Sequence, residues 1–345
     1  MMQDIDFSSF AALRRQISAG LPQPDQDAIA RAQARQASLT KPAGSLGRLE
    51  ELALFMAGWQ GAERPEINAP QAIVFAGNHG VTAQGISPFP AEVTSLMVEN
   101  FDRGGAAINQ LCRAAGARLD VVALDLGNPT ADITESCAMT EAETLRAMAR
   151  GAAALDPDAD LLLLGEMGIG NSTIAAALAA ALLGGGGADW CGPGTGLDAA
   201  GVAHKARVVD SALERARGEA GTRPQPGLET LASLGGREQA AIAGAILAAR
   251  MARVPVLLDG FICTAAALPL RAEAKGALDH CLAAHCSAEP GHRRALEAIG
   301  LRPLLSLEMR LGEGSGAALA LPILRAALAC HNGMASFAEA GIAGP

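Results

Sequence analysis

No tyrosine occurs in the 345 residues, and all aromatic residues together make up only 3% of them, so an apolar ligand must be enclosed mainly by aliphatic and methionine side chains. Charge is also scarce at 18%, with a net charge of −9, and no segment supplies a basic patch. Nucleic acid and anionic membrane surfaces are thereby excluded as partners, and a small molecule is expected instead. The longest apolar run, Ile174 to Gly187, is about 14 residues and falls short of the ~20 that span a bilayer, so it reads as a buried helix. The seven cysteines are odd in number and scattered, which suits reduced thiols. Although His280, Cys281, His285, Cys286 and His292 cluster, the five-residue step between the first two histidines does not bring them onto one face. CxxC and HExxH are both missing, so no metal is expected. MMQDIDFSSF offers neither a basic nor an apolar leader region, and a cytoplasmic location is the expectation. GxGxxG and GxxxxGK[ST] are absent, which argues against a dinucleotide fingerprint, a Walker loop and a Rossmann-type oxidoreductase.

What is present is a chain half hydrophobic, rich in alanine and glycine, and long enough to bury a large core with close helix packing. Residues 1–65 carry apolar residues at helical spacing over Phe10–Ile17, Asp25–Gln36 and Ser45–Gln60, with Ser45 as the expected N-cap of the third helix. From Gln71 a strand–helix rhythm takes over. The runs 72–77, 119–127, 160–168, 255–261, 283–291 and 304–314 predict six strands in a mostly parallel, doubly wound Rossmann-like α/β sheet. Continuous apolar runs such as LLLL imply burial on both faces. The stretch Gly218–Gly227 reads as a surface loop inside the large domain.

Polar residues gather where those strands end, which is where open α/β sheets bind ligands. In LLSLEMRLGEGSGAALA, Glu313 stands between glycines at the start of a helix whose expected cap is Ser315. Leu311 and Ala317 beside it suggest a poorly hydrated setting that would raise its pKa into a useful base range. GEMGIGNST (165–173), with Glu166, Gly168, Gly170 and Asn171, has the spacing of a phosphate-cradling nest. GPGTGLD supplies Gly194, Thr195 and Gly196, and Lys205 lies on the helix beyond. Such an arrangement holds an anion on backbone donors and one ammonium without a basic surface. GNHGVTAQ (77–84) brings His79 and Gln84 as candidate contacts to a heterocycle. Asp259 is placed either to bind ribose hydroxyls or to cap the following helix, and SAEPGH displays Ser287 and Glu289.

Taken in order, KPxGSLGRLE, FAGNHGVT, GEMGIGNST, GPGTGLD, LLDGF, SAEPGH and RLGEGSGAAL resemble the nicotinate-nucleotide:5,6-dimethylbenzimidazole phosphoribosyltransferase family over nearly the whole chain. The resemblance implies a large nucleotide-binding domain at 66–305 and a small helical domain made from 1–65 and 306–345. It also implies a homodimer, no metal and no cofactor, and the substrates nicotinate mononucleotide and 5,6-dimethylbenzimidazole. The family's general base falls on Glu313, and Glu166 is the candidate for stabilising charge at the ribosyl carbon. Gly168, Gly170, Asn171, Gly194, Thr195, Gly196, Lys205, Asp259, Ser287 and Gly314 are expected around the nucleotide and its phosphate. His79, Gln84, Met309 and Leu311 are expected around the base. The alternative from another class is a non-catalytic nucleotide-binding protein, against which the presence of both glutamates argues.

Overall fold

The computed structural model describes residues 5–220 and 226–343. Among them, five strands form one parallel sheet: β1 (Pro70–Ala76), β2 (Arg118–Ala123), β3 (Leu161–Met167), β4 (Val256–Leu258) and β5 (Cys281–Ala283). Their spatial order is β2-β1-β3-β4-β5, with Val74 opposite both Val121 and Gly165, and Leu163 opposite Leu257. The winding direction reverses between β1 and β3, and the crevice that such a reversal opens at the carboxyl ends of the strands is where a ligand can enter.

The helices in chain order are α1 (Phe10–Ala19), α2 (Gln26–Ser38), α3 (Arg48–Gln60), α4 (Val93–Asp102), α5 (Ala107–Ala115), α6 (Glu141–Ala153) and α7 (Asn171–Leu183). A single turn α8 (Gly187–Trp190) comes next, then α9 (Ala199–Ala220), α10 (Gly227–Leu234), α11 (Arg237–Met251), α12 (Phe261–Glu273), α13 (Pro290–Ile299) and α14 (Ser315–Gly333). The two-residue alternation of the strands sorts them into layers. Ile73, Phe75, Leu162, Leu164, Val256 and Leu258 join the apolar cluster that holds α1, α6, α7 and α9 to α12. Ala72, Val74, Leu161, Leu163 and Leu257 join the cluster of α3, α4, α5 and α14 on the other face. Small residues let the layers approach closely: a Cβ on Gly151 of α6 would lie 1.8 Å from the Ala241 carbonyl oxygen of α11.

Three expectations need correction. The segment 304–314 is not a sixth strand. It runs irregularly along the edge beyond β5, with Leu304 N–H on Ala283 O and Leu305 N–H on Ala284 O at 3.0 Å, and Ala288 N–H on Met309 O at 2.9 Å. The left-handed backbone of Glu308, Gly312 and Glu313 breaks any ladder, and Leu307 and Leu311 are more than half exposed. Ser45 does not cap α3, since the N-cap is Gly47 with no side-chain bond, while Ser45 sits in the preceding turn. Nor does Ser315 cap α14; Gly314 does, and Ser315 opens the helix with its hydroxyl on Gly312 O. Of the stretch Gly218–Gly227, residues up to Ala220 complete α9 and Gly227 begins α10, while 221–225 lie outside the described residues.

The two chain ends are joined. Arg35 on α2, nearly buried, donates from Nε to His331 O at 2.8 Å and from Nη2 to Asn332 O and Met334 O at 2.9 and 3.1 Å. Leu39 and Ser336 form an antiparallel bridge beside it. Helix α1, by contrast, packs its Phe10, Leu13 and Ile17 into the cluster on the opposite sheet face. Because Arg35 answers three carbonyls at the end of α14, Arg35→Met should lower unfolding stability by about 2–4 kcal/mol in urea titration, the cost of removing charged donors from one buried and two partly buried acceptors.

Candidate active site

At the carboxyl ends of β3 and β4 lies a cavity of about 500 Å³. Its polar wall includes Glu166, Asn171, Ser287, Glu289 and Glu313, and Phe89, Val93, Met97 and Ile262 supply apolar surface. Glu313 is the group whose placement most needs explaining. It adopts φ +63°, between Gly312 at +80° and Gly314 at +81°, so three consecutive residues are left-handed and one of them carries a side chain. Such a residue costs on the order of 1–3 kcal/mol and persists only where its surroundings hold it.

The holding group is Asp259, fully buried just after β4. Its carboxylate accepts from Gly314 N–H at 3.1 Å and Ala317 N–H at 3.0 Å, capping α14 rather than the helix next to it in sequence. The loop also presses onto β3, where a Cβ on Gly165 would lie 2.5 Å from Gly314 N and 2.7 Å from Glu313 O. Only glycine at 165 leaves room for that backbone. Held in this way, Glu313 is 6% exposed, and its buried Oε2 has no hydrogen-bond partner. Burial raises its pKa to about 6.

Glu166 lies against the same loop, its Oε1 close enough that a Cβ on Gly312 would come within 2.3 Å. Asn171 Nδ2 donates to its Oε2. Burial raises the Glu166 pKa to about 8, reinforced by the neighbouring Asp259, Glu238 and Glu313, against the lowering effect of Asn171. Burial likewise lifts Asp259 to about 7. Several carboxyls sharing a poorly hydrated space cannot all ionise cheaply, so Glu166 keeps its proton at neutral pH.

The opposite side offers donors. Helix α7 has Gly170, φ +93°, as its N-cap and no side-chain cap, and its first residues Asn171 and Ser172 line the cavity beside Gly168. Lys205 is fully buried behind this wall, with Nζ donating to Ser172 Oγ at 2.8 Å and Gly192 O at 3.3 Å, and burial lowers its pKa. Gly194 is latched from two sides: its N–H donates to Glu289 Oε1 at 3.0 Å, and its carbonyl accepts from Arg310 Nη1 at 2.9 Å. Thr195 meets Ser87 through their hydroxyls at 3.2 Å.

Of the residues singled out in the sequence, Glu166, Gly168, Asn171, Gly194, Thr195, Ser287, Leu311 and Glu313 line the cavity. Gly170, Lys205, Asp259 and Gly314 stand directly behind it through the contacts just given, and Gly196 (φ +120°) continues the loop from Thr195. Three residues expected around the base are not on its wall. His79 is buried behind Gly168, 2.9 Å from Glu238 Oε1 without an aligned hydrogen bond. Gln84 donates to Asp132 Oδ2 at 2.7 Å, and Met309 contributes its carbonyl to Ala288. Reading the sequence missed Arg310, Phe89 and His285 as cavity residues. Phe89 had a signal, being an aromatic residue in a proline-flanked loop, SPFP, of a chain that has few aromatics.

Raised carboxyl pKa values make stability fall as pH rises. In the unfolded chain a glutamate ionises near its ordinary value of ~4.3, whereas folded Glu166 must be forced to ionise near 8; its stabilising share is therefore full below the first value and lost by the second. Glu166→Gln, neutral throughout, should raise the thermal midpoint relative to the native chain more at pH 8 than at pH 5; equal shifts at both would contradict the raised pKa.

Known proteins resemble the chain over most of its length. The phosphoribosyltransferase family model matches residues 21–342. The nicotinate-nucleotide–dimethylbenzimidazole phosphoribosyltransferase of Rhodobacter capsulatus is 60% identical over 338 residues, covering 98% of this chain and 99% of that protein. The protein of that name from Novosphingobium aromaticivorans is also 60% identical, over 337 residues and 98% of each chain. A crystal structure of the Thermus thermophilus enzyme of that name superposes with a TM-score of 0.84 at 42% identity, covering 92% of this chain and 99% of that one. On matches that span both sequence and fold, the chain belongs to the family of nicotinate-nucleotide–dimethylbenzimidazole phosphoribosyltransferases.

Proposed function

We propose that the chain transfers the phosphoribosyl group of nicotinate mononucleotide to 5,6-dimethylbenzimidazole, releasing nicotinate and forming α-ribazole 5′-phosphate, with Glu313 as general base. The observation that carries the reading is the Glu313 carboxyl, on the wall of a ligand-sized cavity and on a strained loop, with burial raising its pKa to about 6.

The chemistry needs one base. One ring nitrogen of the benzimidazole attacks C1′ while the other must lose its proton, and a carboxylate bonded to that N–H makes the attacking lone pair more nucleophilic. Nicotinate is bound as a pyridinium and leaves with the bonding electrons as a neutral ring nitrogen, so no general acid is required. Attack opposite the leaving group inverts C1′. Glu166 enters this cycle protonated, and the cationic pyridinium of the arriving nucleotide favours loss of that proton to solvent on binding, which leaves a carboxylate where positive charge builds on the ribosyl carbon. The uncapped start of α7, the Gly194 loop and Lys205 behind them suit the phosphate. Leu311, Phe89, Val93 and Met97 suit the base, and Phe89 and Leu311 are exposed at 49% and 57%, apolar surface that a second copy in a homodimer would cover. The division into a 66–305 domain and a small helical domain from both chain ends belongs to the same proposal, supported by the Arg35 contacts.

Glu313→Gln keeps the size and removes the base. Its kcat should fall at least ~100-fold with nicotinate mononucleotide and 5,6-dimethylbenzimidazole, followed by chromatography and mass. Unchanged turnover would sink the assignment of the base. In the native chain kcat/KM should drop about tenfold per pH unit below ~6, because the base must be ionised to accept the proton. The residual activity of Glu313→Gln should lack that limb, which separates the carboxyl from titration of the benzimidazole itself.

A further inference from the structure

His292 on α13 is fully buried and is not among the residues on the cavity wall, yet its bonds dictate what Ser287 presents there. The Ser287 backbone N–H, which can only donate, points at His292 Nδ1 at 2.8 Å, so Nδ1 carries no proton. The ring's single proton is then on Nε2 and is donated to Thr264 Oγ1 at 3.0 Å. Burial, and His285 beside it, push the His292 pKa down to about 3, so this neutral form holds across the physiological range. Ser287 Oγ lies 3.0 Å from the same Nδ1. Two facing lone pairs at that distance would repel, so the hydroxyl turns its own proton onto the imidazole. Nothing but oxygen lone pairs remains for the cavity.

We propose that His292 is a positioning residue which makes Ser287 an obligatory hydrogen-bond acceptor, so that this wall selects a hydroxyl of the bound nucleotide and disfavours a phosphate or carboxylate oxygen. The inference rests on the nucleotide reading above. It also gives the cavity a direction: donors for an anion stand at Arg310 and the start of α7, while Ser287 offers only acceptance. A Cβ on Gly260 would stand 3.4 Å from His285 Nε2 and 4.0 Å from Ser287 Oγ, so the glycine leaves a small polar slot between them. His285 lines the cavity with its Nε2 3.6 Å from Asp259 Oδ1, too far for a hydrogen bond. The His292 ring is kept in place by Phe261, 6.3 Å away between centroids, which in turn stacks on Trp190.

Calorimetric Kd values for nicotinate mononucleotide and its 2′-deoxy and 3′-deoxy counterparts test this on the full chain. The native protein should disfavour at least one deoxy nucleotide by about tenfold or more, since removing the donor leaves a buried acceptor unpaired. In His292→Leu and in Ser287→Ala that ratio should shrink to about twofold through weaker binding of the parent nucleotide, and the double variant should lose no more than either single one. His292→Asn, whose Oδ1 can take the place of Nδ1 as acceptor, should restore most of the ratio. A purely structural role would weaken parent and deoxy nucleotides alike. A preserved ratio in folded His292→Leu, or no discrimination by the native chain, overturns the proposal. Should His292→Leu fail to fold, an unchanged ratio in Ser287→Ala does so. A native chain that binds nucleotide without transferring it would refute the proposed reaction while leaving this ratio to be read; one that binds no nucleotide refutes both.

Discussion

The site depends on one close approach of backbone to backbone, where the loop carrying Glu313 lies on Gly165 of the central strand. A side chain at 165 would lift the loop off the sheet, and the bonds from Asp259 to Gly314 and Ala317 could not then form at their observed length. Neighbouring strands thus cooperate: β3 provides the seat and the end of β4 provides the clamp. The left-handed turn at 312–314 is tolerated because both are rigid parts of the sheet. Had the loop been anchored only to other loops, the same strain would relax and the carboxylate would wander.

Burial then does the electrical tuning. Glu313, Glu166 and Asp259 all rise above the ordinary carboxyl range because water is kept away, and they rise by different amounts because their partners differ. Glu313, on the cavity wall, rises to about 6, while Glu166, surrounded by other acids, goes to about 8. Across the cavity Lys205 is also destabilised as a cation by burial, and it is held by neutral oxygens of Ser172 and Gly192. A cavity of this kind is charge-strained on both sides, and a ligand carrying a cation at one end and an anion at the other relieves both. Binding and chemistry therefore draw on the same electrostatics.

Much of the fold could be read from period and punctuation. The LLLL run of β3 announces burial on two faces, and the helices at 10–19, 26–38 and 48–60 arise from apolar spacing with start positions only slightly displaced. The edge was harder. Residues 304–314 are as apolar as a strand, and what denies them that state is the left-handed backbone at 308, 312 and 313, of which only the glycine is visible in the sequence. In the site, residues beside glycine turns at strand ends came together because the sheet directs all such loops to one side. His79 failed to join them since its neighbour is Glu238, about 160 positions away on α11, a pairing no local pattern encodes. Asp259 was expected to contact ribose hydroxyls or to cap the helix that follows it, whereas the helix whose N–H groups it accepts starts 56 residues later, at Ser315.

The absence of tyrosine has an optical consequence. With Trp59 and Trp190 as the chain's indoles, its near-ultraviolet emission comes from two places. Trp59 lies under the guanidinium of Arg250 and against His280, in a cluster on the far side of the fold from the cavity residues. Trp190 donates to Gly184 O at 2.8 Å and stacks on Phe261, a residue that lines the cavity. One native fluorophore is therefore wired to the ligand chamber and the other serves as its internal reference.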